Sequence, residues 1–168
     1  MKNIVLIGMM GCGKSTVGRL LARRLGRELV DTDALIEERE GRSIPDIFAQ
    51  EGEAHFRALE LALCRELSGR EGLVIACGGG LPTQDGAIAA LKENGLVFWL
   101  DRDPGETYYG LDLSGRPLAQ AGRDDFLARY AARSPIYHRW ADFFIIRPES
   151  PQAAEARIST IYTEATQS

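Results

Sequence analysis

Gly8-Met9-Met10-Gly11-Cys12-Gly13-Lys14-Ser15 satisfies every fixed position of the pattern G-x-x-x-x-G-K-[ST]. Such a loop cradles phosphate. Its backbone N–H groups and the start of the following helix converge on phosphate oxygens without needing a cation for each. Gly8, Gly11 and Gly13 allow a close backbone approach that a Cβ would obstruct. Lys14 then reaches the β- and γ-phosphates, the Ser15 hydroxyl sits on Mg²⁺, and Gly11, Cys12, Gly13 and Thr16 complete the cradle. The loop reads as a nucleoside triphosphate site.

Other residues point to what a triphosphate would be used for. Asp31 and Asp33 stand two positions apart at the end of a short apolar run. Asp31 suits a hard cation such as Mg²⁺, directly or through water. Asp33 suits an acceptor hydroxyl whose proton it takes. Asp-Thr-Asp is equally a helix cap, and on its own the pair does not decide between the two. Gly78-Gly79-Gly80 leaves bare backbone N–H groups after a third apolar run, although a simple turn has the same composition. Arg57, Arg116 and Arg133 are the arginines placed to grip a carboxylate or phosphate with a two-pronged guanidinium, while most arginines in a chain of this charge are only solvated. Strand three ends in Cys77-Gly78 rather than an aspartate, and no Asn-Lys-x-Asp motif occurs. Both weigh against a mechanical ATPase or a GTPase switch.

The elements needed to position these groups are legible. Ile4–Ile7, 28–31, Leu73–Cys77, Leu96–Leu100 and Phe143–Ile146 read as strands, each followed by helical periodicity. Val17, Leu20, Leu21 and Leu25 form the stripe of the first helix, and Phe56, Leu59, Leu63 and Leu67 that of a helix over 53–68. Ser43-Ile44-Pro45-Asp46 reads as a helix start, Asp85 as the cap of the next helix, and Ser150-Pro151 as the cap and first residue of the last. A helix from about Arg123 to Arg139 is expected to be interrupted at Pro135, and residues 110–122 form a polar, glycine-containing passage. Alternating strands and helices imply a parallel sheet between helical layers, with ligands beyond the carboxyl ends of the strands.

The 168 residues suit a single domain, and the composition of 45% hydrophobic and 26% charged residues is that of a globular protein. A net charge of −4 supplies no basic field for nucleic acid or an acidic membrane. Three widely spaced cysteines, Cys12, Cys64 and Cys77, lack disulfide or zinc spacing. Met1 runs straight into the first strand, and the longest apolar runs are strand-sized, so a cytoplasmic protein is expected.

Taken together, the P-loop, Asp31-x-Asp33, Gly52-Glu53-x-x-Phe56-Arg57-x-x-Glu60, Gly78-Gly79-Gly80, Arg116-Pro117-Leu118 and Arg133-x-Pro135-x-Tyr137 resemble shikimate kinase. They stand in the family's order and spacing over roughly Gly8 to Tyr137. The resemblance implies one three-layer α/β/α P-loop kinase domain over residues 1–168, with a five-stranded parallel sheet in the order 2-3-1-4-5 and a mobile lid at about 109–122. It also implies transfer of the γ-phosphoryl group of ATP to the 3-hydroxyl of shikimate, a step toward chorismate and the aromatic amino acids.

The residue roles come over position by position. Ser15 matches the Mg²⁺ ligand, with Asp31 assisting, and Asp33 matches the residue that binds the ring hydroxyls and serves as base. Arg57 and Arg133 match the carboxylate clamp; Gly78, Gly79 and Gly80 line the same pocket. Glu60 is expected to hold Arg57, and Phe48 and Phe56 to supply apolar walls. Arg116 matches the lid arginine that closes on the phosphates, and Gln152 lies where the family touches adenine. One position departs: Tyr109 stands where the family often carries another lid arginine. The expected protein is a monomer. A gluconate-type or nucleotide kinase and a non-catalytic nucleotide-binding module are the competing functions; the two arginines with the triple glycine favour a small carboxylated polyol over a nucleotide acceptor, and intact Lys14, Ser15, Asp31, Asp33 and Arg116 argue against the module.

Overall fold

The computed structural model describes residues 1–111 and 122–167. Its centre is a parallel sheet of β1 (Asn3–Ile7), β2 (Leu29–Asp31), β3 (Val74–Ala76), β4 (Gly95–Asp101) and β5 (Phe143–Ile146), in the order β2-β3-β1-β4-β5. β1 lies in the middle, with Val5 paired to Ile75 on one side and to Val97 on the other. A strand enclosed on both faces needs a continuous apolar run rather than an alternating one. Residues 4–7 provide it, and all of them are buried.

Helices α1 (Lys14–Leu25), α2 (Thr32–Glu40), α3 (Ile44–Glu51), α4 (Glu53–Ser68), α5 (Asp85–Glu93), α6 (Pro104–Tyr109), α7 (Arg123–Trp140) and α8 (Pro151–Thr166) surround the sheet, and a 3-10 turn spans Leu81–Thr83. Two apolar layers result. One joins Val5, Ile7 and Trp99 to Ile47, Phe56, Leu63, Leu67, Phe126 and Tyr137. The other joins Ile4, Leu6 and Phe98 to Val17, Leu21, Ala154 and Ile158. Alternate residues of the same strand thus serve opposite layers. Each fully buried Leu, Ile or Phe contributes about 1.5–3 kcal/mol from burial. Gly18 fits α1 closely to the sheet, since a Cβ there would lie 2.8 Å from Leu29 Cδ1.

Local chemistry accounts for most helix boundaries. Ser43 accepts from the Asp46 N–H at 3.2 Å, and Ser150 from the Ala153 N–H at 3.0 Å. Two boundary expectations are corrected. Asp85 is the first helical residue of α5 and Gln84 is its cap position, without a side-chain cap bond. Helix α7 runs continuously through Pro135 to Trp140. The Pro135 ring lies on an exposed face, where water can satisfy the carbonyl left without an amide partner. Most of the segment expected as a lid lies outside the described residues.

Candidate active site

The P-loop joins the end of β1 to the start of α1. Gly11 and Gly13 hold φ of 78° and 98°, in the left-handed region that favours glycine. Lys14 Nζ donates to the carbonyls of Gly8 at 2.7 Å and Met9 at 2.8 Å, with Cys12 Sγ at 3.6 Å. Thr16 is exposed, and its hydroxyl accepts from Arg19 at 3.4 Å.

Strand β2 delivers the acids to the same edge. Asp31 uses its two oxygens differently: Oδ1 accepts from the Ala34 N–H at 3.1 Å and caps α2, while Oδ2 accepts from Ser15 Oγ at 2.6 Å. The Ser15 hydroxyl and Asp31 carboxylate form an adjacent pair of hard oxygen donors. That set suits Mg²⁺, which prefers oxygen ligands and retained water.

Asp33 follows in the first turn of α2. Burial, and then the negative charge of Asp31, push its carboxyl up to about 6, against the opposing charges of Lys14 and Arg57. It packs against Gly78, where any Cβ would overlap the carboxylate. The Gly78 N–H donates to Thr32 Oγ1 at 3.0 Å, tying the triple glycine to α2.

Arg57, on α4, donates to Glu60 at 2.5 Å and to Glu53 at 3.3 Å. Glu60 has no exposed surface, and burial pushes its carboxyl up to about 7 against the pull of Arg57. The Arg57 guanidinium lies against Gly80, whose missing side chain leaves it room. It also lies 5.4 Å from the Phe56 ring centre, and Phe56 and Phe48 meet with ring centres 5.2 Å apart. Arg133 projects from α7 to within 3.2 Å of the position a Gly79 Cβ would take. Burial lowers its affinity for its proton, and the positive charges of Arg129 and Arg57 act in the same direction. One turn on, Tyr137 donates to the Gly79 carbonyl at 2.6 Å, fixing α7 to the glycine loop.

The structure therefore brings Asp31, Asp33, Lys14, Ser15, Arg57, Glu60, Gly78, Gly79, Gly80 and Arg133 to the carboxyl ends of β1, β2 and β3. Gln152 is exposed in the first turn of α8, beyond β5. Arg116 lies outside the described residues. Tyr109 ends α6, 76% exposed, with the Arg123 guanidinium 5.8 Å from its ring centre. Sequence reasoning gave no role to three neighbours. Glu53 stands four residues before Arg57, and Arg129 four before Arg133, spacings that place each pair on one helix face. Arg129 and Arg133 both line an open cavity of about 460 Å³ beside the 3-10 turn. Gln84, which donates to Glu60 at 3.0 Å, had no local signal.

The arrangement has its counterpart in known proteins. The shikimate kinase family model matches residues 10–165. A shikimate kinase of Symbiobacterium thermophilum is 45% identical over 166 residues, covering 94% of this chain and 86% of the relative. One from Clostridium botulinum is 41% identical over 140 residues, covering 83% and 84%. A solved structure described as shikimate kinase from Acinetobacter baumannii in complex with shikimate is 36% identical, with a TM-score of 0.89 over 99% of this chain and 94% of that one. The match to the family model over most of its length, and the identity it shares with these relatives, show that the chain belongs to the shikimate kinase family.

Proposed function

We infer that this protein transfers the γ-phosphoryl group of ATP to the 3-hydroxyl of shikimate, giving shikimate 3-phosphate and ADP. The observation that carries the reading is the position of Asp33. Its carboxyl feels both Lys14 of the phosphate loop and Arg57 of the acceptor clamp, so it stands where donor and acceptor would meet.

Phosphoryl transfer asks the protein mainly for alignment and charge neutralisation. The loop from Gly11 to Thr16 would bind the phosphates, with Lys14 turning from its own loop carbonyls to the β- and γ-phosphate oxygens. Ser15 and Asp31 would hold Mg²⁺, which when bound neutralises charge on the triphosphate. Arg57 and Arg133 would take the shikimate carboxylate, with the apolar sides of Phe48 and Phe56 beside it and Gly78, Gly79 and Gly80 leaving room for the ring. Asp33 would accept a hydrogen bond from the acceptor hydroxyl and then its proton. A carboxyl near 6 is ionised at neutral pH yet more basic than an exposed one, which suits a general base.

Arg116 would close on the phosphates from the lid at about 109–122, and Gln152 would border the adenine; the resemblance alone supports these two roles. No helix among the described residues is long and apolar enough to cross a membrane. Three free, buried cysteines fit a reducing compartment such as the cytoplasm; a monomer that acts on ATP and shikimate, without nucleic acid or membrane, completes the proposal.

The test is ADP formation by the purified protein with Mg-ATP and one acceptor at a time. Shikimate should drive turnover, while gluconate and AMP should leave it near the acceptor-free rate. Equal turnover with AMP would assign the protein to the nucleotide kinases instead.

A further inference from the structure

Arg57 depends on Glu60 for its position, and Glu60 depends on a residue from another part of the chain. Glu60 Oε1 accepts two hydrogen bonds, from Arg57 Nη1 at 2.5 Å and from Gln84 Nε2 at 3.0 Å. Among the described residues Oε2 is buried without a partner, so these two donors carry the carboxylate. Gln84 is itself held firmly. Its N–H donates to the Leu81 carbonyl at 3.1 Å, and its own carbonyl accepts from Ala87 at 3.1 Å and Ile88 at 3.2 Å. Although it occupies the cap position of α5, its side chain makes no cap bond and turns to Glu60. The 3-10 turn that presents it begins directly after Gly80, the glycine against which the Arg57 guanidinium rests.

We propose that Gln84 is a positioning residue for the acceptor site: its amide N–H holds Glu60 Oε1 in register so that Arg57 points at the carboxylate of the acceptor. The inference rests on the acceptor role of Arg57 given above. It makes the loop after β3 contribute twice, through three bare glycines that admit the substrate and through an amide that fixes the cation opposite them.

The charges around Glu60 give the test its readout. Arg57 on the same helix and Gln84 from the turn before α5 favour the ionised carboxylate, whereas burial and the Asp33 charge from α2 oppose it. The Cys64 and Cys77 thiols also face it, and burial pushes both well above the usual thiol range, so they stay neutral around pH 7. Glu60, at about 7, is thus poised near neutrality. Removing the Gln84 donor raises its proton affinity further. A protonated Glu60 releases Arg57 toward Glu53, 3.3 Å away on the exposed side.

The experiment measures the KM for shikimate and, by calorimetry, its Kd, from pH 6 to 9 for the wild type, Gln84→Leu and Gln84→Lys. Gln84→Leu should raise both about tenfold at pH 7, the range for losing a hydrogen bond to a charged group, and less at pH 9, moving the titration upward. Gln84→Lys keeps a donor and adds a charge, so its titration should move below the wild-type position. The KM for ATP should not move with either. Profiles superimposable on the wild type, or displaced equally at every pH, would overturn the proposal, because a general packing defect has no reason to follow Glu60. The wild-type measurement separates the two levels of inference: no shikimate-dependent turnover there refutes the function, whereas normal turnover with unshifted variants refutes only Gln84.

Discussion

Replacing Asp33 by Asn separates the two things its environment does. The carboxyl has been moved from an ordinary 3.8 to about 6, first by burial and second by Asp31. A group raised in this way contributes its full share of stability below pH 3.8 and loses it as the pH climbs through 6. At pH 8 the ligand-free enzyme therefore carries a penalty of about 3 kcal/mol that the neutral, nearly isosteric Asn side chain does not. Measured by chemical denaturation, Asp33→Asn should gain about 2.5 kcal/mol on the wild type between pH 4 and pH 8, on the order of 5–10 °C in Tm. Turnover should fall by roughly 10²- to 10⁴-fold, the usual contribution of a general base, with ATP binding preserved. A stability difference that does not change with pH would show that Asp33 is solvated and the reasoning wrong. Undiminished turnover would remove it as the base.

Three further outcomes follow from the geometry. Arg133→Ala should raise the KM for shikimate roughly 10- to 100-fold, as expected for a lost charge-assisted hydrogen bond pair, with little change in the KM for ATP; an unchanged acceptor KM would mean the carboxylate is held elsewhere. Gly80→Ala should cost acceptor affinity rather than folding, because the new methyl meets the Arg57 guanidinium and not the core, so weakened shikimate binding with a near-wild-type Tm is the expected result. Ser15→Ala should raise the Mg²⁺ concentration needed for half-maximal turnover while leaving shikimate binding intact, since it removes one of the two oxygen donors that face each other at 2.6 Å.

The strands, most helix starts and the phosphate loop were legible because each rests on local pattern, whereas the sheet order and the arginine roles came from the family resemblance. Buried strands read as apolar runs, helix starts as Ser or Asp with the right neighbours, and the phosphate loop as fixed spacing. What escaped was set by contacts across the chain. Gln84 and Glu60 are 24 positions apart, and nothing local marks an amide that will meet a carboxylate. Asp85 looked like the cap of α5, since Asp often caps, but the backbone arriving from the 3-10 turn puts Gln84 there instead. Pro135 read as an interruption because proline usually breaks a helix; its exposed face removes most of the cost. Asp31 shows the opposite situation. The cap and the cation readings did not exclude each other, because Oδ1 caps α2 and leaves Oδ2 to meet Ser15.

The division of the apolar interior into two layers bears on how such an enzyme changes over evolutionary time. Cys12 and Val17 of the phosphate loop and first helix pack with α8 on one face of the sheet. Ile47, Phe56 and Tyr137, which carry or brace the acceptor side, pack together on the other. Substitutions separated by the sheet share few neighbours, and distant changes in stability tend to add rather than interact. Met9 of the phosphate loop is the exception, since it packs in the acceptor layer against Tyr137; away from it, drift in the acceptor layer can retune which small acid is phosphorylated while the nucleotide layer stays as it is. The same partition offers a route for redesign: α3, α4 and the end of α7 can be mutated as a set, with α1 and α8 left as an undisturbed ATP-binding chassis.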